Sequence, residues 1–138
     1  MKLKTLDGRM VSRQFTGDRH GLKSRDKCKS ESQYLLGQLL KQVYPGYVIC
    51  EEFIIPDTRL SIDFFIPVLG IVFEFDGSQH SKYNSFFHGS KKAFEAQIIR
   101  DQKKEEWCAL NGFRIVRVTD KYITKEQLIG LIINSNES

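Results

Sequence analysis

The sequence lacks the features that would place the chain in a membrane or on a secretory route. No apolar run reaches the roughly 18 residues of a transmembrane helix, and no charged and apolar leader with a small-residue cleavage site opens the chain. The three cysteines are odd in number and far apart, which does not suit a disulfide framework. We therefore expect a soluble, unexported protein of a reducing cytoplasm, without membrane partners.

The chain also lacks internal repeats and low-complexity segments. Its 138 residues are enough for one domain with a core of its own. The content of 41% hydrophobic and 28% charged residues is ordinary for a globular protein, which argues against a disordered chain. The function must therefore come from particular residues on an ordinary globular domain.

Positive charge is concentrated at the start of the chain. Residues 1–29 contain nine Lys or Arg and three acidic residues, whereas the rest of the chain contains twelve basic and fourteen acidic residues. Because this segment shows no apolar periodicity, we expect a basic N-terminal arm, extended or partly disordered, before a folded domain at residues 30–138. The phosphate backbone of a nucleic acid is the natural partner of such an arm, and a merely solubilising tail is the alternative.

The remaining chain shows regular helical and strand patterns. Ser30 is a favourable N-cap for a helix that stops at residues 44–46, and later helices are predicted at 90–111, closed by Gly112, and at 124–134. Strands are predicted at residues 47–55, 60–67, 70–76 and 113–118. A hairpin followed by a helical crossover to a fourth strand predicts an α/β fold, in which a mixed sheet of about four strands is flanked by helices.

Two predicted strands carry carboxylates within otherwise apolar sequence. Glu74 and Asp76 point to the same face of their strand, and a tight hairpin would bring Asp63 beside Glu74. Like charges at this distance raise one another's pKa unless a cation neutralises them, and hard carboxylate oxygens suit Mg²⁺. A divalent metal site at Asp63, Glu74 and Asp76 is one interpretation. The alternative is that all three acids lie on a solvated face of the hairpin.

The apolar residues around these acids favour strands that are covered on both faces. In the segment 60–67, we expect one face to carry Ile62, Phe64 and Ile66 and the other to carry Ser61, Asp63 and Phe65. A carboxylate on a covered strand needs a partner. The solvated interpretation is therefore weaker here than for an arbitrary hairpin.

Three further residues are candidates on weaker patterns. Asp101 lies at the centre of a helical stripe, where it either faces the sheet or its edge, or pairs with Lys104 or Arg117. Glu31 stands in the first turn of a helix, where acids are favourable without any function. His80 follows a strand in a loop, and an imidazole near a metal can accept a proton from water, although most loop histidines are surface residues.

Taken together, these residues resemble the PD-(D/E)XK nuclease superfamily. The resemblance covers residues 30–120 and consists of "DFFIP" (63–67), "FEFDGSQH" (73–80), Asp101 with Lys104, Gly112 and "RIVRV" (114–118). Within the superfamily, the chain is most similar to Vsr-like very-short-patch-repair endonucleases and the EDxHD homing endonucleases of phages. The resemblance implies a restriction-endonuclease-like fold, a metal-dependent DNA endonuclease activity, and the cytoplasm of a bacterium or of a phage-infected host cell.

The resemblance also implies a role for each matching residue. Asp63 would be the principal metal ligand, and Glu74 or Asp76 would complete a site for Mg²⁺ or Mn²⁺. His80 would activate or orient the attacking water. The flanking acids of the family pattern would be Glu31 and Asp101. The chain departs from the superfamily pattern because Asp76 stands two residues after Glu74, where a lysine is expected.

Double-stranded DNA is the expected partner, and two chains could pair on it to cut both strands. The expected nucleic-acid contacts are Lys23, Arg25, Lys27, Lys82, Tyr83, Asn84, Lys91, Lys92 and Lys104. One alternative is a catalytically inactive nuclease fold that only binds nucleic acid or assists recombination, although an acidic cluster would repel phosphate. Another is a carboxylate-pair hydrolase such as a glycosidase, which would not need a basic arm.

Overall fold

The computed structural model describes residues 1–16, 21–76 and 91–135, which build a four-stranded mixed sheet with helices on both faces. The strands of this sheet are β3 (Cys50–Ile54), β4 (Ser61–Ile66), β5 (Ile71–Phe75) and β6 (Arg114–Val118). They lie in the order β3-β4-β5-β6, with antiparallel pairing up to β5 and parallel pairing between β5 and β6. The predicted α/β class, the hairpin of β4 and β5, and the helical crossover from β5 to β6 are confirmed.

The helices are α1 (Glu31–Val43), α2 (Lys91–Asn111) and α3 (Lys125–Ser135). The Ser30 hydroxyl caps α1 by accepting a hydrogen bond from the amide of Gln33 at 3.1 Å. Gly112 follows α2 with a φ of 69°, a left-handed conformation that glycine adopts without steric cost. No helix in the described ranges combines the length and apolar character needed to cross a membrane.

Two apolar clusters cover the two faces of the sheet. In the first, α1 and α3 pack Leu36, Leu40 and Leu128 against Phe64, Ile66 and Phe73. In the second, α2 packs Trp107 and Cys108 against Phe65 and Val72. The expectation that the central strands are covered on both faces is confirmed. A polar side chain that projects from these strands is therefore buried away from water.

The first part of the basic arm is folded, in contrast to the extended conformation expected from the sequence. Strands β1 (Lys2–Lys4) and β2 (Met10–Ser12) form an antiparallel hairpin. Leu3 is completely buried beside Trp107, whose indole N–H donates to the carbonyl oxygen of Lys4 at 2.8 Å. A three-residue strand with a single inward side chain is too short to show an apolar period, which is why the pattern was missed.

The alternation of side chains along β4 breaks at Asp63. Phe64 and Ile66 lie in the cluster under α1 and α3, as expected, but Ile62 lies in the cluster under α2. On the neighbouring strand, Glu52 has a φ of 53°, an uncommon conformation for a residue with a side chain. The register of β3 and β4 places Glu52 opposite Asp63, so both strands change face at the same level.

Candidate active site

A row of four charged residues crosses the sheet at the level of Asp63 and Glu52. Glu74 on β5 is the register partner of Arg117 on β6. Continuing the register of β4 and β5 by one residue places Asp63 beside Glu74, and the register of β3 and β4 places Glu52 beside Asp63. Each of the four strands therefore contributes one charged residue, and three of the four are acids.

Asp63 and Glu74 join β4 and β5 through their side chains. The regular pairing of these strands ends at Phe64 and Phe73. Beyond that pair, the amide of Asp63 donates to Oε2 of Glu74 at 2.9 Å, and the amide of Phe75 donates to Oδ2 of Asp63 at 2.8 Å. Two carboxyl groups thus replace main-chain carbonyls as acceptors between the strands, and both are buried, with Asp63 8% and Glu74 3% exposed.

The surroundings of Asp63 disfavour its charged form. Burial raises the pKa of Asp63 to about 7, and the negative charge of Glu74 acts in the same direction. The hydrogen bond from the Phe75 amide and the positive charge of Lys29 oppose this rise in pKa. In the described part of the chain, Asp63 forms no ion pair. The folded chain therefore favours the protonated form of Asp63 more strongly than water does.

Glu74 has a cationic partner that comes from helix α2. Nζ of Lys104 lies 2.7 Å from Oε1 of Glu74, and the two side chains are only 14% and 5% exposed. Lys104 was expected to contact nucleic acid, but its ammonium group is directed to this carboxylate. The ammonium group beside Glu74 therefore comes from helix α2. The position on the strand two residues after Glu74, where the resemblance led us to expect a lysine, holds Asp76.

Asp76 and Asp101 line a neighbouring open cavity of about 270 Å³. Its other lining residues are Phe94, Ile98, Gln102, Glu105 and Arg117. Asp101 accepts a hydrogen bond from Gln97 at 3.1 Å, while Arg117 pairs with Glu105 at 3.1 Å, so neither of the cations considered for Asp101 is bonded to it. Asp101 thus shares this cavity with Arg117 of β6 without an ion pair between them.

The three acids expected to form one metal site are not assembled as a three-ligand cluster. Across residues 1–16, 21–76 and 91–135, no group of three or more His, Cys, Asp or Glu side chains is arranged to hold an ion. The amide of Asp76 bonds to the carbonyl oxygen of Val118 at 2.7 Å beyond the end of β5. Its side chain lines the neighbouring cavity, so the described residues supply a pair, Asp63 and Glu74.

Glu31 begins α1 and has two basic partners. Arg25 lies 2.6 Å and Lys121 lies 3.3 Å from its carboxylate oxygens. The hydrogen bond from Lys121 is the largest of the effects that lower the pKa of Glu31. Among the described residues, Glu31 belongs to no group of three or more His, Cys, Asp or Glu side chains that could hold an ion, so the structure does not add this predicted flanking acid to Asp63 and Glu74.

A buried network that the sequence reasoning missed attaches the end of the arm to the sheet. Glu51, 7% exposed, accepts hydrogen bonds from the side chain of Gln33 at 2.8 Å and from the amide of Lys23 at 2.9 Å. The thiol of Cys28 donates to the same carboxylate at 3.3 Å, and the ammonium group of Lys23 pairs with Glu52. Two consecutive acids within an apolar strand were the available sequence signal.

Several predicted functional residues lie outside the described residues. They are His80, Lys82, Tyr83 and Asn84. Their roles remain predictions from the sequence. Of the other expected nucleic-acid contacts, Lys27, Lys91 and Lys92 are exposed, whereas Lys23 and Arg25 are paired with Glu52 and Glu31.

The chain is similar to parts of two proteins of invertebrate iridescent viruses. It is 39% identical over 64 residues to Uncharacterized protein 033L of Invertebrate iridescent virus 3, a match that covers 46% of this chain and 33% of the viral protein. It is 37% identical over 60 residues to Uncharacterized protein 307L of Invertebrate iridescent virus 6, covering 44% and 30% of the two chains. The matches thus span about a third of each viral protein. No protein-family model and no solved structure matches the chain.

Proposed function

We propose that the chain is a metal-dependent DNA endonuclease of the PD-(D/E)XK type, which hydrolyses phosphodiester bonds at the carboxyl pair. The restriction-endonuclease-like form of the sheet and the Vsr-like or homing-type specificity belong to this proposal. It rests on the resemblance in sequence together with the arrangement of Asp63 and Glu74 at the end of the sheet.

The observation that carries the proposal is the state of Asp63. This carboxyl group is buried, lies beside a second carboxylate, and forms no ion pair with the described residues. A structural acid in such a place would be expected to have a bonded cation, as Glu74 has in Lys104. A site that receives a divalent cation explains why Asp63 has none.

The donor set fits a magnesium ion better than a structural zinc ion. Mg²⁺ is commonly held by one or two carboxylates, with water and substrate phosphate filling its other positions. Asp63 and Glu74 would hold it, and Mn²⁺ suits the same hard oxygen donors. A structural zinc ion needs four convergent protein ligands, which the described residues do not provide. When bound, the ion would polarise the phosphate and lower the pKa of a coordinated water.

The residues of the chain would divide the remaining tasks. Lys104 fixes the direction of the Glu74 carboxylate and takes the place of the lysine that is absent from the strand. The amide of Phe75 holds one oxygen of Asp63 and so fixes the direction of its carboxyl group. His80 would accept the proton of the attacking water, as the sequence predicts. Asp76 and Asp101, in the adjoining cavity, would complete the acidic surroundings.

A module that binds nucleic acid without cutting it is the second candidate. The ion pair between Lys104 and Glu74 favours it, because this pair neutralises one of the two carboxylates without a metal. The basic arm would serve binding in either case. The two candidates differ in whether the chain hydrolyses DNA, and the endonuclease requires in addition that hydrolysis depends on Asp63.

The test is cleavage of supercoiled plasmid and long linear DNA by the purified chain, with Mg²⁺, with Mn²⁺ or with EDTA. Asp63→Asn removes the charge but keeps an oxygen for the Phe75 amide, and His80→Ala removes the proposed base. Asp120→Asn is the matched control, because Asp120 is exposed and lies outside the carboxyl pair. Circular dichroism would verify that each variant is folded.

We expect metal-dependent nicking or cutting by the wild type and by Asp120→Asn, and a loss of at least about a hundredfold in Asp63→Asn and in His80→Ala. Salt-sensitive DNA binding without cleavage on any substrate would instead establish the binding module. Equal cleavage by Asp63→Asn and the wild type would refute the proposed site.

A further inference from the structure

A cavity of about 810 Å³ lies beside the N-terminal hairpin. It is formed by the hairpin, the turn between β3 and β4, and α2. Its lining residues are Leu6, Asp7, Arg9, Pro56, Asp57, Thr58, Arg59, Leu60 and Lys103. Three of these are cations and two are anions, so the charge of the lining favours an anionic ligand.

The two acids of this cavity share one cationic partner. Arg9 forms ion pairs with both Asp7 and Asp57, which links the hairpin to the β3–β4 turn. Arg59 and Lys103 are exposed, and neither forms an ion pair or side-chain hydrogen bond with any residue that the structure describes. Two cations without an ion-pair partner among the described residues therefore line a cavity whose two acids both pair with Arg9. The three cations and two acids leave the lining with a net charge of +1.

Arg59 and Lys103 are both close in sequence to residues of the carboxyl pair or to the partner of that pair. Arg59 lies in the turn before β4 and precedes Asp63 by four residues, which corresponds to at most about 13 Å of extended chain. Lys103 directly precedes Lys104, the partner of Glu74, on α2. One DNA strand advances about 3.4 Å per nucleotide along the helix axis, so this distance corresponds to about four nucleotides.

We propose that Arg59 and Lys103 form a phosphate-binding site in this cavity, which holds the backbone of a nucleic-acid strand a few nucleotides from the carboxyl pair. This inference deepens the proposed function and rests on it. Arg59 can bind a phosphate through two parallel N–H groups, while Lys103 acts as a point charge. Arg9, which pairs with Asp7 and Asp57, lines the same cavity.

The test is binding of a fluorescent double-stranded DNA to the full chain in EDTA, where cleavage does not interfere, over a series of salt concentrations. The double variant Arg59→Ala/Lys103→Ala removes both proposed contacts. The matched control is Lys41→Ala/Lys125→Ala, which removes two exposed charges from α1 and α3 on the opposite face of the sheet. Thermal unfolding would establish that both double variants are folded.

We expect the double variant Arg59→Ala/Lys103→Ala to bind at least about tenfold more weakly at roughly 0.1 M salt, and its slope of log affinity against log salt to be shallower by about 1.8, or 0.9 per lost phosphate contact. The control should keep the wild-type slope. If Arg59→Ala/Lys103→Ala binds DNA as tightly as the control and the wild type, and the wild type cleaves DNA, the cavity does not hold DNA and the proposed function stands. If the wild type neither binds nor cleaves DNA, both proposals fail.

A second experiment distinguishes two possible ligands of the cavity, a nucleic-acid strand and a small phosphate compound. Thermal unfolding of the wild type and of Arg59→Ala/Lys103→Ala is measured with inorganic phosphate and with a nucleoside monophosphate. Stabilisation of the wild type alone, combined with unchanged DNA binding by the variant, would assign the cavity to a small phosphate ligand and overturn the proposal. Loss of DNA affinity in the variant supports the strand.

Discussion

Lys104 and Glu74 form a nearly buried ion pair, with Nζ 2.7 Å from Oε1, between helix α2 and the central strand β5. The second oxygen of the same carboxylate accepts the amide of Asp63 on β4. One side chain thereby connects a helix with two strands at the level where the sheet carries its charges. The stability of this region and the proposed chemistry therefore depend on the same group.

Replacing Lys104 with methionine should destabilise the fold by about 3 kcal/mol at neutral pH, because removal of one partner leaves Glu74 buried and unpaired. Urea unfolding measures the change. Lys103→Met is the matched control on the next residue, which is exposed, and it should stay within about 0.5 kcal/mol. Equal losses in the two variants would show that the ion pair does not stabilise the chain.

The stability of the wild type should fall between about pH 4 and about pH 7, because the folded chain raises the pKa of Asp63 to about 7. The folded state then binds the proton more tightly than the unfolded state, in which the pKa is about 3.9. The stabilisation from protonated Asp63 is complete below the unfolded pKa and is lost as the pH rises through the folded pKa.

The measurement is the free energy of unfolding against pH for the wild type and for Asp63→Asn. The wild type should lose stability relative to the variant by at most about 1.4 kcal/mol per pH unit over this window. If Asp63 and Glu74 hold Mg²⁺, adding the ion should reduce the loss, because the ion binds the ionised form. A constant difference between the two proteins would contradict the raised pKa.

The left-handed conformation of Glu52 should be visible in a comparison of two substitutions. Both Glu52→Ala and Glu52→Gly remove the ion pair with Lys23, but only glycine relieves the conformational cost of a φ of 53°. Glu52→Gly should therefore be more stable than Glu52→Ala by about 1 kcal/mol. At Glu106, in an ordinary exposed helical position, the order of the same two substitutions should be reversed.

The packing of the N-terminal hairpin should be reported by the single tryptophan. Trp107 is completely buried against Leu3 in the second cluster. Leu3→Ala should cost about 3 kcal/mol of unfolding free energy. Deletion of residues 1–12 should shift the fluorescence of Trp107 to longer wavelength, because the indole becomes accessible to water. Met10→Ala, at an exposed residue of the same hairpin, should change neither property.

The sequence was sufficient to predict the sheet and the proximity of Asp63 and Glu74. The residues between the two central strands are few, so the hairpin and its register follow from local turn geometry. The apolar character of both faces indicated that the acids were covered. These features depend on residues that are close in sequence, which is where pattern reasoning works best.

The contacts between distant segments were not predictable in the same way. Lys104 meets Glu74 only because α2 crosses back over the sheet, and Lys23 and Cys28 meet Glu51 only because the arm folds onto β3. Nothing in the spacing of these residues identifies the pairs. The change of face at Asp63 likewise depends on a backbone conformation at Glu52 that its residue type disfavours.

The carboxyl pair has a consequence for how the site can be observed. Because the amides of Asp63 and Phe75 donate directly to the two carboxyl groups, their N–H resonances respond to the charge on these groups. A titration or the arrival of a divalent ion changes the electron density at both acceptors at once. The main chain of β4 and β5 thus contains two built-in spectroscopic reporters, which follow the ionic state of the site without a substrate or an added label.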